Sequence, residues 1–404
     1  MVAAAATLSA VAGGVEIAEV PDRARLRRET GARLRAAMAE RGIDALVLLG
    51  NNAVTYATGT SWRLGDAGLS HIDRPVAVVL ADDPWPHLFA PLRNAWDTDL
   101  AADHLHAPAF LECDEGVDQF ARAIAELIPG TAVVGVDECT GAMRRAHQRL
   151  FAARRPVDAA QVVNAAKLTK TADELSCIRT ACRVTALAMD AVHATLDPGV
   201  RPRDLSAHFL RRAFEFGADA IMLEPIWQVM SDGRAPGDLP LSPSDRELTV
   251  GDVLWSDASI SYGGYCSAFG RTWFVGADPK PHQQAQFRQW HAVLSAVLDV
   301  TRAGVTAGDL ARVASAANGG RRPWLPHGYL GHGLGVTAGE APMIGTDLGT
   351  EFDENFVFEP GMVLVLEPMV WGNGTGGYRS KHVVVITEDG FLSLTDDPQA
   401  PYAY

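Results

Sequence analysis

The chain has 404 residues, 48% of them hydrophobic and 21% charged, a globular balance that excludes a disordered or low-complexity protein. Lys and Arg total 35 against 49 Asp and Glu, and the resulting net charge of −14 repels phosphate backbones and argues against nucleic acid as a partner. No Lys or Arg precedes Arg23, and no uncharged apolar run approaches the roughly 18–20 residues of a membrane span, so neither a signal peptide nor a membrane partner is expected.

The expectation is a soluble, cytoplasmic protein whose first dozen residues are loose. Five cysteines (Cys113, Cys139, Cys177, Cys182 and Cys266) form no Cys-x-x-Cys pair and read as idle thiols of a reducing compartment.

Taken in chain order, RARLRRETGARLRAAMAER (23–41) has the periodicity of an amphipathic helix that Gly42 is placed to stop. Short apolar strands follow at 43–50, 75–81 and 131–137, with helices at 116–128 and 141–153. This alternation predicts a small α/β domain. Beyond Pro156 the pattern changes. A long helical stretch covers 167–196, with Thr171 and Glu174 as a capping-box signature, and a second helix covers 203–217. Strands at 252–260 and 264–276 flank a turn at Tyr262-Gly263, helices follow at 281–303 and 307–318, and the end is strand-rich at 361–371 and 378–394 with a turn at 388–390. Helices followed by antiparallel strands predict an α+β domain, and we place the boundary so that the domains are 1–165 and 166–404.

Four ionisable residues stand in apolar strand or glycine settings: Asp257 in VLWSDASI, His332 in GYLGHGLGV, Glu367 in VLVLEP and Lys381 in YRSKHVVVI. A buried lone charge costs several kcal/mol, so each requires a partner. The residues alone leave two readings open, a buried ion network or an active site.

The segments GDVLWSDASISYGGYCSAFGRTW (251–273), GHGLGVTAGEAP (331–342) and EPGMVLVLEPMVWGNGTGGYRSKHVVVITEDG (359–390) resemble the pita-bread-fold family of creatinase, prolidase, Xaa-Pro aminopeptidase and methionine aminopeptidase. Within it the chain is similar to the creatinase-like branch that includes dimethylsulfoniopropionate lyase and ectoine hydrolase. The resemblance implies a creatinase-type α/β N-terminal domain, a pita-bread C-terminal domain and a homodimer. It also implies two divalent metals held by Asp, Asp, His, Glu and Glu. Asp257, His332 and Glu367 match three of these five. The second Asp is Ala268, in Gly264-Tyr265-Cys266-Ser267-Ala268, and the last Glu is Lys381, in Gly377-Tyr378-Arg379-Ser380-Lys381. The family's two substrate histidines are missing: no His lies between His208 and His282, and the His of the His-Glu pair is Gly339, before Glu340.

An ammonium donates and cannot ligate while protonated. The resemblance therefore predicts a site with no metal and no cofactor, with His332, Glu367, Lys381 and Asp257 as catalytic residues. Lys381 would pair with Asp257 and Glu367 and polarise a carbonyl, and His332 would move protons. The expected substrate-binding residues are Arg234 in the loop SDGRAPGD, Glu340, His382, Trp227, Tyr262 and Trp371. Arg271 and Arg379 read as structural ion-pair partners, and His327 as a capping or structural residue. The expected activity is metal-independent hydrolysis of a C–N bond in a small polar substrate. The alternatives are a proton-transfer lyase, cyclase or isomerase, and a non-catalytic binding protein.

Overall fold

A computed structural model describes residues 10–12, 15–17, 20–60, 74–91, 98, 100–231, 245–372 and 376–395. Ala10–Ala12 (β1) and Val15–Ile17 (β2) pair antiparallel, so part of the stretch expected to be loose is ordered by backbone hydrogen bonds. The chain divides into two compact units, one comprising Pro21–Lys167 with Thr171–Asp173, the other comprising Met1–Val20, Leu168–Lys170 and Glu174–Tyr404.

In the first unit, Asp22 caps helix α1 (Arg23–Glu40) by accepting from the Arg25 backbone N–H at 2.9 Å. The helix buries Leu26, Leu34, Ala37 and Met38, and Gly42 follows it with φ of 61°. Strand β3 (Ala45–Leu48) is wholly buried and leads into α2 (Asn51–Thr58). Strands β4 (Val76–Leu80), β5 (His87–Phe89) and β6 (Leu105–His106) extend the sheet on one side of β3. After α3 (Asp114–Leu127), strands β7 (Val133–Val136) and β8 (Arg155–Asp158) extend it on the other. The order is β6-β5-β4-β3-β7-β8, with β4 antiparallel and β7 parallel to β3. The helix expected over 141–153 is two short ones, α4 (Gly141–Arg145) and α5 (His147–Phe151), separated at Ala146. Helix α6 (Ala160–Lys167) closes the unit's main run.

The predicted helix over 167–196 instead begins at Ala172. Residues before it leave the helical path, and Thr169 makes a β-bridge to Met362. In the second unit, α7 (Ala172–His193) and α8 (Pro202–Glu215) pack Val184, Met189, Leu205 and Phe209 against Trp227, Leu254, Ile260 and Trp273. Those last four belong to an antiparallel sheet of β9 (Ala220–Val229), β10 (Val253–Tyr262), β11 (Tyr265–Cys266) and β12 (Phe269–Phe274). Strand β9 carries Pro225, which has no N–H to give. The ladder is irregular there, with register shifts between Asp257 and Ser259 and between Ser259 and Ile260, which is why the strand escapes a periodicity reading.

A second layer pair repeats the arrangement. Helices α9 (Pro281–Val300) and α10 (Ala307–Ala317) pack Trp290, Leu294, Val297 and Leu310 on a five-stranded sheet. Its strands are β13 (Gly331–Gly333), β14 (Glu340–Ile344), β15 (Val363–Leu366), β18 (His382–Ile386) and β19 (Phe391–Ser393), in the order β14-β13-β15-β18-β19. Strands β16 (Met369–Trp371) and β17 (Gly377–Arg379) form a separate ribbon. The unit is α+β, with a helix pair on each sheet.

Candidate active site

Each charged residue of the site is placed by backbone. Asp257 lies within β10 opposite Gly270 of β12. His332 lies on β13 opposite Val365 of β15. Glu367 directly follows β15, its N–H bonded to the Leu330 carbonyl at 2.9 Å. Lys381 falls in the short link between β17 and β18, a segment clamped to β12 at several points. Its N–H donates to the Gly270 carbonyl at 3.0 Å, the Ser380 hydroxyl donates to the same oxygen at 2.9 Å, and Arg271 donates to the Lys381 carbonyl at 2.9 Å. Arg271 thus holds the backbone at Lys381.

The side chains converge. The Lys381 ammonium lies 2.9 and 2.8 Å from the two oxygens of Asp257 and 3.7 Å from Glu367 Oε2. Arg379 donates to Glu367 Oε2 and lies over the Trp255 ring, its guanidinium carbon 4.0 Å from the centroid. His332 Nε2 is 3.5 Å from Glu367 Oε1, an atom that accepts no hydrogen bond among the described residues. On its other side, His332 Nδ1 lies 2.8 Å from the Gly333 carbonyl. A carbonyl only accepts, so the ring proton sits on Nδ1 and Nε2 carries the lone pair. The Tyr329 ring meets His332 edge-on at 5.4 Å.

Burial and charge set the protonation states. Burial would lower Lys381, but Asp257 and Glu367 outweigh it and hold the ammonium above its ordinary range. Burial opposes ionisation of Glu367, yet Arg379 and Lys381 bring it down to about 2. Burial pushes Asp257 up against the pull of Lys381, and the two short ammonium contacts favour the ion pair. Burial lowers His332, so the imidazole is held neutral.

This donor set does not fit the two divalent ions that the family resemblance implies. Two carboxylates face two cations, leaving no surplus negative charge to balance a dication. Lys381 donates to both oxygens of Asp257, one of the expected ligands, and position 268 is a buried alanine.

The remaining expected residues are distributed differently. Glu340 is buried and committed to Lys170, at 2.6 Å, a partner that the sequence reading missed because 170 positions separate them. Trp227 donates to Ser206 and packs in the core with Trp273. Tyr262 packs on the same core, and Trp371 packs beside Met230, Val253 and Trp255. His382 lies within 3.3 Å of the hydroxyls of Ser393 and Thr395. The side chains that meet the Lys381 ammonium are those of Asp257 and Glu367. Arg234 lies outside the described residues. His327 is exposed, at φ of 59°, and pairs with Asp347. The sequence reading missed Tyr329 and Trp255, which are ordinary aromatic residues in their local context.

Comparison with known proteins supplies the lineage. Residues 176–388 match metallopeptidase family M24, and residues 31–168 match the creatinase/prolidase N-terminal domain. The "Probable dipeptidase PepE" of Mycobacterium tuberculosis is 28% identical over 371 residues, covering 88% of each chain. The "Uncharacterized peptidase YqhT" of Bacillus subtilis is 26% identical over 380 residues, covering 91% of this chain and 98% of its own. Among solved structures, the X-Pro aminopeptidase from Thermotoga maritima superposes with a TM-score of 0.75 at 20% identity, over 92% of this chain and 98% of its own. The Xaa-Pro dipeptidase from Bacillus anthracis gives 0.73 at 23% identity, over 93% and 99%. These likenesses establish the pita-bread fold behind a creatinase-type α/β domain, and the chain belongs to metallopeptidase family M24.

Proposed function

We propose that this M24 hydrolase cleaves a C–N bond of a small, polar, peptide-like substrate, without a metal in its charged site. The observation that carries the reading is the Lys381 ammonium seated between Asp257 and Glu367, beside the facing acceptors His332 Nε2 and Glu367 Oε1. The curated relatives named as dipeptidases support the peptide-like class.

Two acceptors 3.5 Å apart suit a donor lying to one side of both, and the donor a hydrolase needs there is water. In this reading neutral His332 takes the water proton on Nε2 as the oxygen adds to the carbonyl carbon. Glu367, held ionised by Arg379, stabilises the imidazolium that forms. Lys381 places its charge at the developing oxyanion. His332 then returns the proton to the leaving nitrogen as the C–N bond breaks, giving a carboxylate and an amine. The working form is taken as a homodimer, which sedimentation velocity checks.

The test is turnover of a panel of dipeptides, Xaa-Pro included, in ¹⁸O-water after exhaustive chelation, with metal content measured. The expected result is one solvent oxygen per bond cleaved, unaffected by chelator, and a 10²–10⁴-fold loss in His332→Ala. Activity lost on chelation and restored by Mn²⁺, Co²⁺ or Zn²⁺ would overturn the metal-free reading. Product free of ¹⁸O would overturn hydrolysis in favour of a lyase or cyclase.

A further inference from the structure

The first unit holds a second cluster of ionisable side chains, independent of the charged site. Asp83, His87 and His104 each offer one ligand atom, and these atoms all lie within 4.8 Å of one another. Asp83 Oδ2 is 3.2 Å from His104 Nε2 and 3.7 Å from His87 Nε2. A tetrahedral ion bound at about 2.0–2.1 Å to nitrogen and oxygen separates its ligands by roughly 3.3–3.4 Å. The two separations lie on either side of that value; 3.7 Å is too long for a hydrogen bond, while 3.2 Å is also a hydrogen-bond distance between His104 and Asp83.

The surroundings orient all three groups. Asp83 Oδ1 accepts from the Trp85 backbone N–H at 2.9 Å, which turns Oδ2 toward the histidines. His104 Nδ1 lies 2.9 Å from Asp103 Oδ1 and Nε2 lies 3.2 Å from Asp83 Oδ2; with the proton on Nδ1 given to Asp103, the neutral ring turns its Nε2 lone pair toward the Asp83 carboxylate. His87 Nδ1 lies 3.0 Å from His106 Nε2, and a proton on the His87 nitrogen likewise frees its Nε2. His106 is held in turn by stacking on Phe89 at 4.4 Å. The His87 and His104 rings stack at 4.5 Å and 13°, an arrangement that disfavours two imidazolium charges. The side chains of His87, His104 and Asp83 are 9%, 13% and 26% exposed, so the cluster is enclosed by the imidazoles and reachable from the carboxylate side.

We infer that Asp83, His87 and His104 form a binding site for one borderline divalent transition ion, of which Zn²⁺ is the type, with the fourth position left to water. Two imidazoles and one carboxylate suit such an ion better than Mg²⁺ or Ca²⁺, which prefer all-oxygen shells. Bound there, the ion would tie the turn at Asp83 to β5 and to the segment entering β6, at the edge of the sheet where short strands supply few backbone bonds.

The experiment is equilibrium dialysis of the chelated full-length protein against Zn²⁺, with elemental analysis, and absorption spectroscopy at the zinc edge for ligand type. The wild type should bind one equivalent in a shell of nitrogen and oxygen with two imidazoles. His104→Gln should weaken binding at least 100-fold, and Asp103→Asn by 10–100-fold through lost orientation. Glu367→Gln, in the other unit, should leave it unchanged. A Glu367→Gln protein that no longer binds Zn²⁺ would assign the ion to the charged site and overturn the inference, as would no binding by the wild type. Should His104→Gln fail to fold, the wild-type spectrum decides alone: sulfur ligands, from the exposed Cys113 or Cys139, or a shell without imidazole, would equally overturn it.

Discussion

The stem of Lys381 crosses the bare Cα of Gly270: a Cβ at that glycine would lie 2.8 Å from Lys381 Cγ and 3.2 Å from Cδ. Gly270 is also the ladder partner of Asp257, so one missing side chain makes room for the lysine and sets its ammonium over the opposite carboxylate. Gly270→Ala should therefore move Lys381 off Asp257. The expected outcome is a stability loss of about 1–3 kcal/mol from overpacking and a larger proportional loss of activity. Chemical denaturation and kinetics on the same preparation check it, and unchanged turnover would separate Lys381 from the chemistry.

Removing the lysine charge tests the pair itself. Lys381→Met leaves Asp257 buried without its cation and should cost roughly 3–5 kcal/mol. Adding Asp257→Asn should recover much of that, because the stranded charge is gone. The double-mutant cycle measures the coupling, and additive losses would count against a direct ion pair.

The exchange of ligands is reversible if the scaffold is inherited. Lys381→Glu combined with Ala268→Asp restores all five expected ligands with Asp257, His332 and Glu367. The double variant should bind added Mn²⁺ or Co²⁺ beyond the wild-type stoichiometry, as read by elemental analysis. Wild-type stoichiometry in a folded double variant would show that the old geometry is lost.

Acid sensitivity follows from two groups. The folded state holds His332 below its ordinary 6.5, so the unfolded chain binds the extra proton and stability falls as pH drops through 6.5 toward the lower folded value. Glu367, lowered from 4.5 to about 2, contributes stability present above pH 4.5 and lost as pH falls through that interval, on the order of 3 kcal/mol in full. His332→Gln should flatten the first limb and leave the second. Denaturant midpoints at a series of pH values check this, and an unchanged first limb would remove His332 from the account.

Glu367 owes that lowering to Arg379 before Lys381. Arg379→Gln should weaken the acid stability of the second limb and slow turnover, while sparing the Lys381–Asp257 contact. Equal effects on both limbs would show that the arginine acts through general destabilisation.

Much of this protein was legible in one dimension. The helices at Arg23–Glu40, Asp114–Leu127 and Pro281–Val300 were readable because apolar spacing is local to the segment that carries it. Asp257, His332, Glu367 and Lys381 stood out because a charge inside an apolar run demands a partner whatever the fold. The strands of two or three residues near His87, Leu105 and His332 were not readable, since so few positions hold no period. Partners were legible only in part. The family resemblance implies Lys381 beside Asp257 and Glu367, but nothing in the sequence shows that Glu340 meets Lys170 across 170 positions or that Arg379 takes Glu367. The Asp83, His87 and His104 cluster exists only because β5 lies beside β6. Composition and periodicity determine which groups must be satisfied, while the strand order brings donor and acceptor within 3 Å and so decides which group satisfies which.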